Sequence, residues 1–151
     1  MAREVFRPTA AIGGVPIHAM LVPFPIVCFT GAMLADIVYS NSPQVQWTNF
    51  AQWLLAVGFI VGLIAAIFGL IDFLAAGRTR PAIGWFHLGG NAIVLVLALF
   101  NNLVHSRDGW TGVVPTGLTL SVITFLLMLV TGFLGWRMAY RHVGRFEGER
   151  P

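Results

Sequence analysis

Lysine is absent from this chain, and charge of either sign is scarce: Asp, Glu, Lys and Arg together make up 10% of its 151 residues. Soluble domains carry about 25% charged residues, so this one cannot clothe a water-facing surface with them. Cysteine is nearly missing too. The single Cys28 lies inside an apolar run, which excludes an intrachain disulfide and a Cys-x-x-Cys redox or metal motif. It reads as a small apolar filler. No glycine-rich nucleotide loop, Gly-x-Ser-x-Gly elbow or His-Glu-x-x-His pair occurs, so hydrolytic and nucleotide-dependent chemistry have no foothold. The net charge of +3 comes from nine arginines that stand at the borders of apolar segments rather than on one face, which argues against nucleic acid as a partner.

What is present is hydrophobic: 57% of residues, with a mean hydropathy of +0.80. The apolar residues fall into four segments, about 16–38, 47–74, 82–104 and 113–136. Each has the ~20 residues that a helix needs to cross the hydrocarbon of a bilayer. The connections are short, so neighbouring helices run antiparallel. The expected fold is all-α, a single transmembrane domain over 1–151 built as an up-down-up-down four-helix bundle. The first segment, although preceded by Arg3 and Arg7, is too long for a signal peptide and reads as a retained helix.

Arginine sets the expected orientation. Arg3, Arg7, Arg78, Arg80, Arg137, Arg141, Arg145 and Arg150 fall on one side and Arg107 on the other. The positive-inside rule then places both termini in the cytoplasm. Trp47, Trp53 and Trp110 mark the outer interface, Trp85 and Trp136 the inner one. His142 lies among the charges of the C-terminal tail, where lipid headgroups are its expected contacts.

The helices also declare which face they hide. Gly58, Gly62, Ala65, Ala66 and Gly69 form a small-residue stripe on the second; Gly117, Ser121, Thr124, Met128, Thr131, Gly132 and Gly135 form one on the fourth. Such stripes let helix backbones approach closely in lipid. The third carries His87, Asn91, Asn101, Asn102 and His105 on one lane that lipid cannot satisfy, so the lane faces inward.

One stretch of the first segment stands apart. His18 is followed by Pro23 and Pro25, which leave the carbonyls of Ala19 and Leu21 without their intrahelical donors and kink the entrance. By helical rise, His18, His87 and Asp72 reach about the same depth, with Asn91 one turn below His87. Ionisable groups inside spans are functional candidates. Two chemistries suit these residues. In one, His18 and His87 are the axial ligands of a b-type haem, with Met20, Phe24 and Asn91 beside it. In the other, Asp72 joins the two histidines around a divalent metal or in a proton relay. The alternative is structural: histidines bonded at helix interfaces, and Asp72 paired with Arg78 or Arg80. At the far end Asp36 follows His18 by the same eighteen residues that separate His105 from His87. That interval, about five turns, hints at two related hairpins and at an Asp36–His105 contact on the outer rim.

The string His18-Ala-Met-Leu-Val-Pro-Phe-Pro-Ile26, the Gly69-Leu-Ile-Asp72 end of the second segment, and His87 with Asn91 resemble the small bacterial four-span proteins catalogued as domain of unknown function 2231. The resemblance covers nearly the whole chain. It implies the four-span fold and, because some relatives are joined to or lie near iron–sulfur modules, redox work at the cytoplasmic face. This chain departs from the pattern in carrying Val15 where a further histidine is common and Ala19 where a proline is. The expectation is a multi-pass protein of the bacterial inner membrane that binds haem and transfers electrons, with an iron–sulfur or other redox protein as partner. The rival is a non-enzymatic accessory subunit that docks through its glycine faces on a larger membrane complex or on its own copy.

Overall fold

The computed structural model describes residues 9–77, 81–107 and 113–147, with 140–147 as backbone alone. Arg3, Arg7, Arg78, Arg80, Trp110 and Arg150 lie outside the described residues, as do the side chains of Arg141, His142 and Arg145. A two-residue hairpin comes first, β1 (Ala11–Ile12) against β2 (Val15–Pro16), with Ile12 opposite Val15. Gly13 and Gly14 turn it at φ 58° and 82°, a conformation that only glycine adopts without strain. The helices α1 (Ile17–Leu21), α2 (Pro23–Asn41), α3 (Val45–Ala75), α4 (Ile83–His105) and α5 (Leu118–Glu147) follow.

Breaks between helices fall where the chemistry demands them. Val22 separates α1 from α2 while keeping helical angles, and its N–H reaches the His18 carbonyl at 3.1 Å. Pro23 then starts α2, where its missing N–H costs nothing. The α3 helix ends at Ala76 and Gly77, the latter at φ 51°. Before α5 the chain makes an irregular turn over Val113–Gly117, with an extended Val114 and a cis Val114–Pro115 bond.

The long helices pack as a square: α2 touches α3 and α5, and α4 touches α3 and α5. Thus α2 and α4 face each other along one diagonal. Phe29, Ala32, Leu55, Val94, Ala98 and Met128 fill the centre. Outside, large apolar side chains stand bare, Trp53 at 72% and Phe86 at 71% exposure. That inversion suits hydrocarbon as solvent. Four spans, Ile17–Asn41, Val45–Ala75, Ile83–His105 and Val113–Ala139, are long and apolar enough to cross a membrane.

Asp72 has an unexpected task. Its Oδ1 accepts the backbone N–H groups of Thr9 and Ala10 at 2.8 and 2.9 Å, and the Ile17 N–H bonds back to the Ala10 carbonyl at 2.9 Å. One carboxylate therefore ties the N-terminal hairpin to the end of α3. Asp72→Ala is expected to cost about 1–2 kcal/mol of local stability and to expose the hairpin to clipping by protease. Asp72→Asn, which keeps an oxygen acceptor, should be clipped little faster than the unaltered chain.

Candidate functional site

Two polar clusters occupy the bundle axis, one toward each end. The first is made by His18 on α1 and His87 on α4. Their ring centres lie 6.1 Å apart and the planes cross at 88°. Each ring is fixed by the same device. His18 Nδ1 lies 2.8 Å from the Ala65 carbonyl on α3, and His87 Nδ1 lies 2.9 Å from the Thr131 carbonyl on α5. A carbonyl only accepts, so each Nδ1 carries the hydrogen of its bond, and in a neutral ring the lone pair is then on Nε2.

Glycines make the slots for these rings. A Cβ on Gly69 would come within 2.7 Å of His18 Nδ1, and one on Gly135 within 2.9 Å of His87 Cε1. In each half the glycine stands four residues after the carbonyl that holds the histidine, Ala65 then Gly69, Thr131 then Gly135. Each hairpin therefore seats its histidine with the same carbonyl-and-glycine pair. Not every glycine of the α5 stripe serves this purpose. Gly132 is exposed, and a Cβ there would meet nothing within 4 Å.

Between the hairpins lies a cavity of about 80 Å³ lined by His18, His87, Asn91, Met128, Phe29 and Thr131 among others. Asn91 Nδ2 donates to the His87 carbonyl at 2.7 Å and stands 3.4 Å from His87 Nε2. Met20 and Phe24, expected beside a macrocycle, are 48% and 58% exposed and stand outside this lining. On a helix wrapped in lipid, apolar side chains belong on that outer face. Asp72 is taken up by the N-terminal amides, and among the described residues no three His, Cys, Asp or Glu side chains gather in a metal-sized group.

The second cluster sits toward the other end. Asp36 Oδ1 and His105 Nε2 lie 2.8 Å apart, Ser121 Oγ donates to Asp36 Oδ2 at 2.5 Å, and Asn101 Nδ2 donates to Ser121 Oγ at 2.7 Å. His105 Nδ1 meets the Asn101 carbonyl at 3.0 Å. Asp36 and Asn101 are fully buried. Again a glycine makes room: a Cβ on Gly117 would lie 2.8 Å from His105 Cε1. Sequence reasoning found the Asp36–His105 contact but did not assign Ser121 a role in it. The signal was there, since Ser121 stands on the small-residue face of its helix and a hydroxyl facing inward needs a partner.

No curated protein and no solved structure matches this chain. A family model described as a predicted membrane protein, DUF2231, matches residues 14–147, a stretch that takes in both clusters and all four spans. The chain is a membrane protein of the DUF2231 family.

Proposed function

We propose that this protein holds one metal ion of low charge between His18 and His87 and passes single electrons near one face of the membrane. The supporting observation is the pair of imidazoles, each bonded through Nδ1 to a carbonyl and both lining one cavity. Metal-ligating histidines are oriented in this way, the second nitrogen giving its hydrogen to a carbonyl. With metal–nitrogen bonds of about 2.0 Å, two rings on opposite sides of one ion have centres about 6 Å apart, close to the 6.1 Å found.

Charge and volume narrow the guest. No carboxylate is among the lining residues of the cavity. A divalent ion would leave two charges unbalanced in a low-dielectric interior, whereas copper(I) brings one and is well served by imidazole and by a thioether such as Met128. The reduced state is favoured for the same reason. A b-type haem would use the same two axial donors, but a cavity of about 80 Å³ is far below the ~300–1,000 Å³ of pockets that enclose drug-sized ligands. The small volume therefore favours an ion over a macrocycle in this reading. In this reading an iron–sulfur or other redox protein serves as the electron partner.

Metal analysis and an optical spectrum of the purified protein test this together. About one copper per chain is expected, lost in His18→Ala and in His87→Ala but kept in Asp72→Ala. A Soret band would replace the ion with haem. A colourless, metal-free protein from metal-replete and haem-replete cells would end both versions.

A further inference from the structure

The cluster at the opposite end carries an inference that does not depend on any metal. Its hydrogen bonds close a ring through α2, α4 and α5: Asn101 to Ser121, Ser121 to Asp36, Asp36 to His105, and His105 back to the Asn101 carbonyl. With Nδ1 of His105 as the donor to the Asn101 carbonyl, one set of directions satisfies every contact in the ring. Nδ1 of His105 faces a carbonyl, so it carries hydrogen. The Ser121 hydroxyl hydrogen is spent on Asp36 Oδ2. An ionised carboxylate and a bare Nε2 are both acceptors, and they cannot sit 2.8 Å apart without a proton between them. The ring therefore contains one proton more than a carboxylate and a neutral imidazole supply.

We propose that Asp36 and His105 form a proton-binding site, with one transferable proton shared between the carboxylate and the imidazole and exchanged with water at the rim beyond His105. Placed on Nε2 it makes an ion pair; placed on Oδ1 it makes two neutral groups. Either way the pair is neutral overall, which is how it survives with both side chains at 0% exposure. Release leaves a bare negative charge with little to balance it. At this end of the bundle the other titratable or charged side chains among the described residues are Tyr39, buried on α2, and Arg107, exposed beyond α4. The α3 and α5 helices and the Val113–Gly117 turn add none there.

The exit is set by the packing. His105 is the last residue of α4, and Ser106 and Arg107 after it are exposed. Toward the other cluster, Val94, Ala98, Leu55 and Met128 pack in a mainly apolar core, with the buried Thr124 on α5 between Ser121 and Met128. The exposed Ser106 and Arg107 therefore mark the compartment on the His105 side as the one with which the proton exchanges.

Spectroscopy of the full chain in lipid nanodiscs decides the matter. With ¹⁵N-labelled histidine and carboxyl infrared bands, the unaltered protein near neutral pH should show one of two pictures: His105 with both ring nitrogens protonated beside an ionised Asp36, or a protonated Asp36 carboxyl beside a neutral His105. In D₂O the corresponding band should shift without loss of the fold. Asp36→Asn should lower proton uptake by one per chain and turn His105 into a neutral imidazole, and Ser121→Ala should move the Asp36 band. An ionised Asp36 beside a neutral His105 in the unaltered protein would overturn the proposal, whatever the variants do. A protonated band that never exchanges in the folded protein would overturn the exit at the rim.

Discussion

Replacing His105 by alanine is expected to destabilise the protein by about 3–5 kcal/mol, the usual consequence of removing one partner from a buried ionic pair. The loss is large because of what stays behind. Asp36 is fully buried and would lose the imidazole that shares its proton, while keeping the bond from the Ser121 hydroxyl. The substitution also empties the volume that Gly117 leaves for the imidazole, and the lost ring contacts add to the penalty. Taking both partners away should hurt less than taking one. In Asp36→Leu with His105→Leu no charge is stranded, and Ser121 can turn its hydroxyl to a carbonyl of its own helix. Unfolding by SDS titration, compared across the two single variants and the pair, gives the coupling directly. Strict additivity of the two losses would show that the contact is incidental to stability.

How far the sequence could be read depended on whether a residue's role was fixed by its own helix. Four apolar segments of spanning length, joined by short loops, are local facts, and the bundle follows from them. The inward lane of α4 was legible for the same reason: lipid rejects asparagine and histidine, so Asn101 and His105 had to turn inside. The meeting of His18 with His87 came from counting helical rise. What a count of depth cannot supply is direction around the axis. Asp72 lies on a helix whose end could have turned toward the histidines, and it instead takes two amides from a hairpin that the Gly13-Gly14 pair announced and the apolar pattern concealed. Met20 and Phe24 share a stretch with His18, yet they lie on the lipid side of it. Most telling are the glycine stripes. Read alone, they promise only close helix contact; three of their members turn out to be seats for imidazole rings contributed by other helices. That meaning lies in the pairing of elements and in neither sequence by itself.

The seats lead to the second large effect. Gly135→Ala and Gly69→Ala are each expected to abolish metal binding while leaving a folded protein. The added methyl would lie 2.9 Å from His87 Cε1 in one case and 2.7 Å from His18 Nδ1 in the other. Real Cβ atoms do not come so near, so the ring must move, and it cannot move without stretching the bond from Nδ1 to Thr131 or Ala65. Crowding of this kind costs about 1–3 kcal/mol, while alanine returns up to ~1 kcal/mol over glycine in a helix interior. The net change in stability is therefore modest, and the fold survives. A metal site has no such tolerance, because a misplacement of about 1 Å removes a donor from coordination range. Gly132→Ala supplies the control on the same helix, three residues from Gly135, where a methyl meets nothing within 4 Å. It should keep its metal and melt no lower than the unaltered chain. Copper content per folded protein, measured across the three variants, separates a glycine that seats an imidazole from a cavity-lining glycine with open space around it: if Gly132→Ala and Gly135→Ala lose metal alike, the seats do not exist.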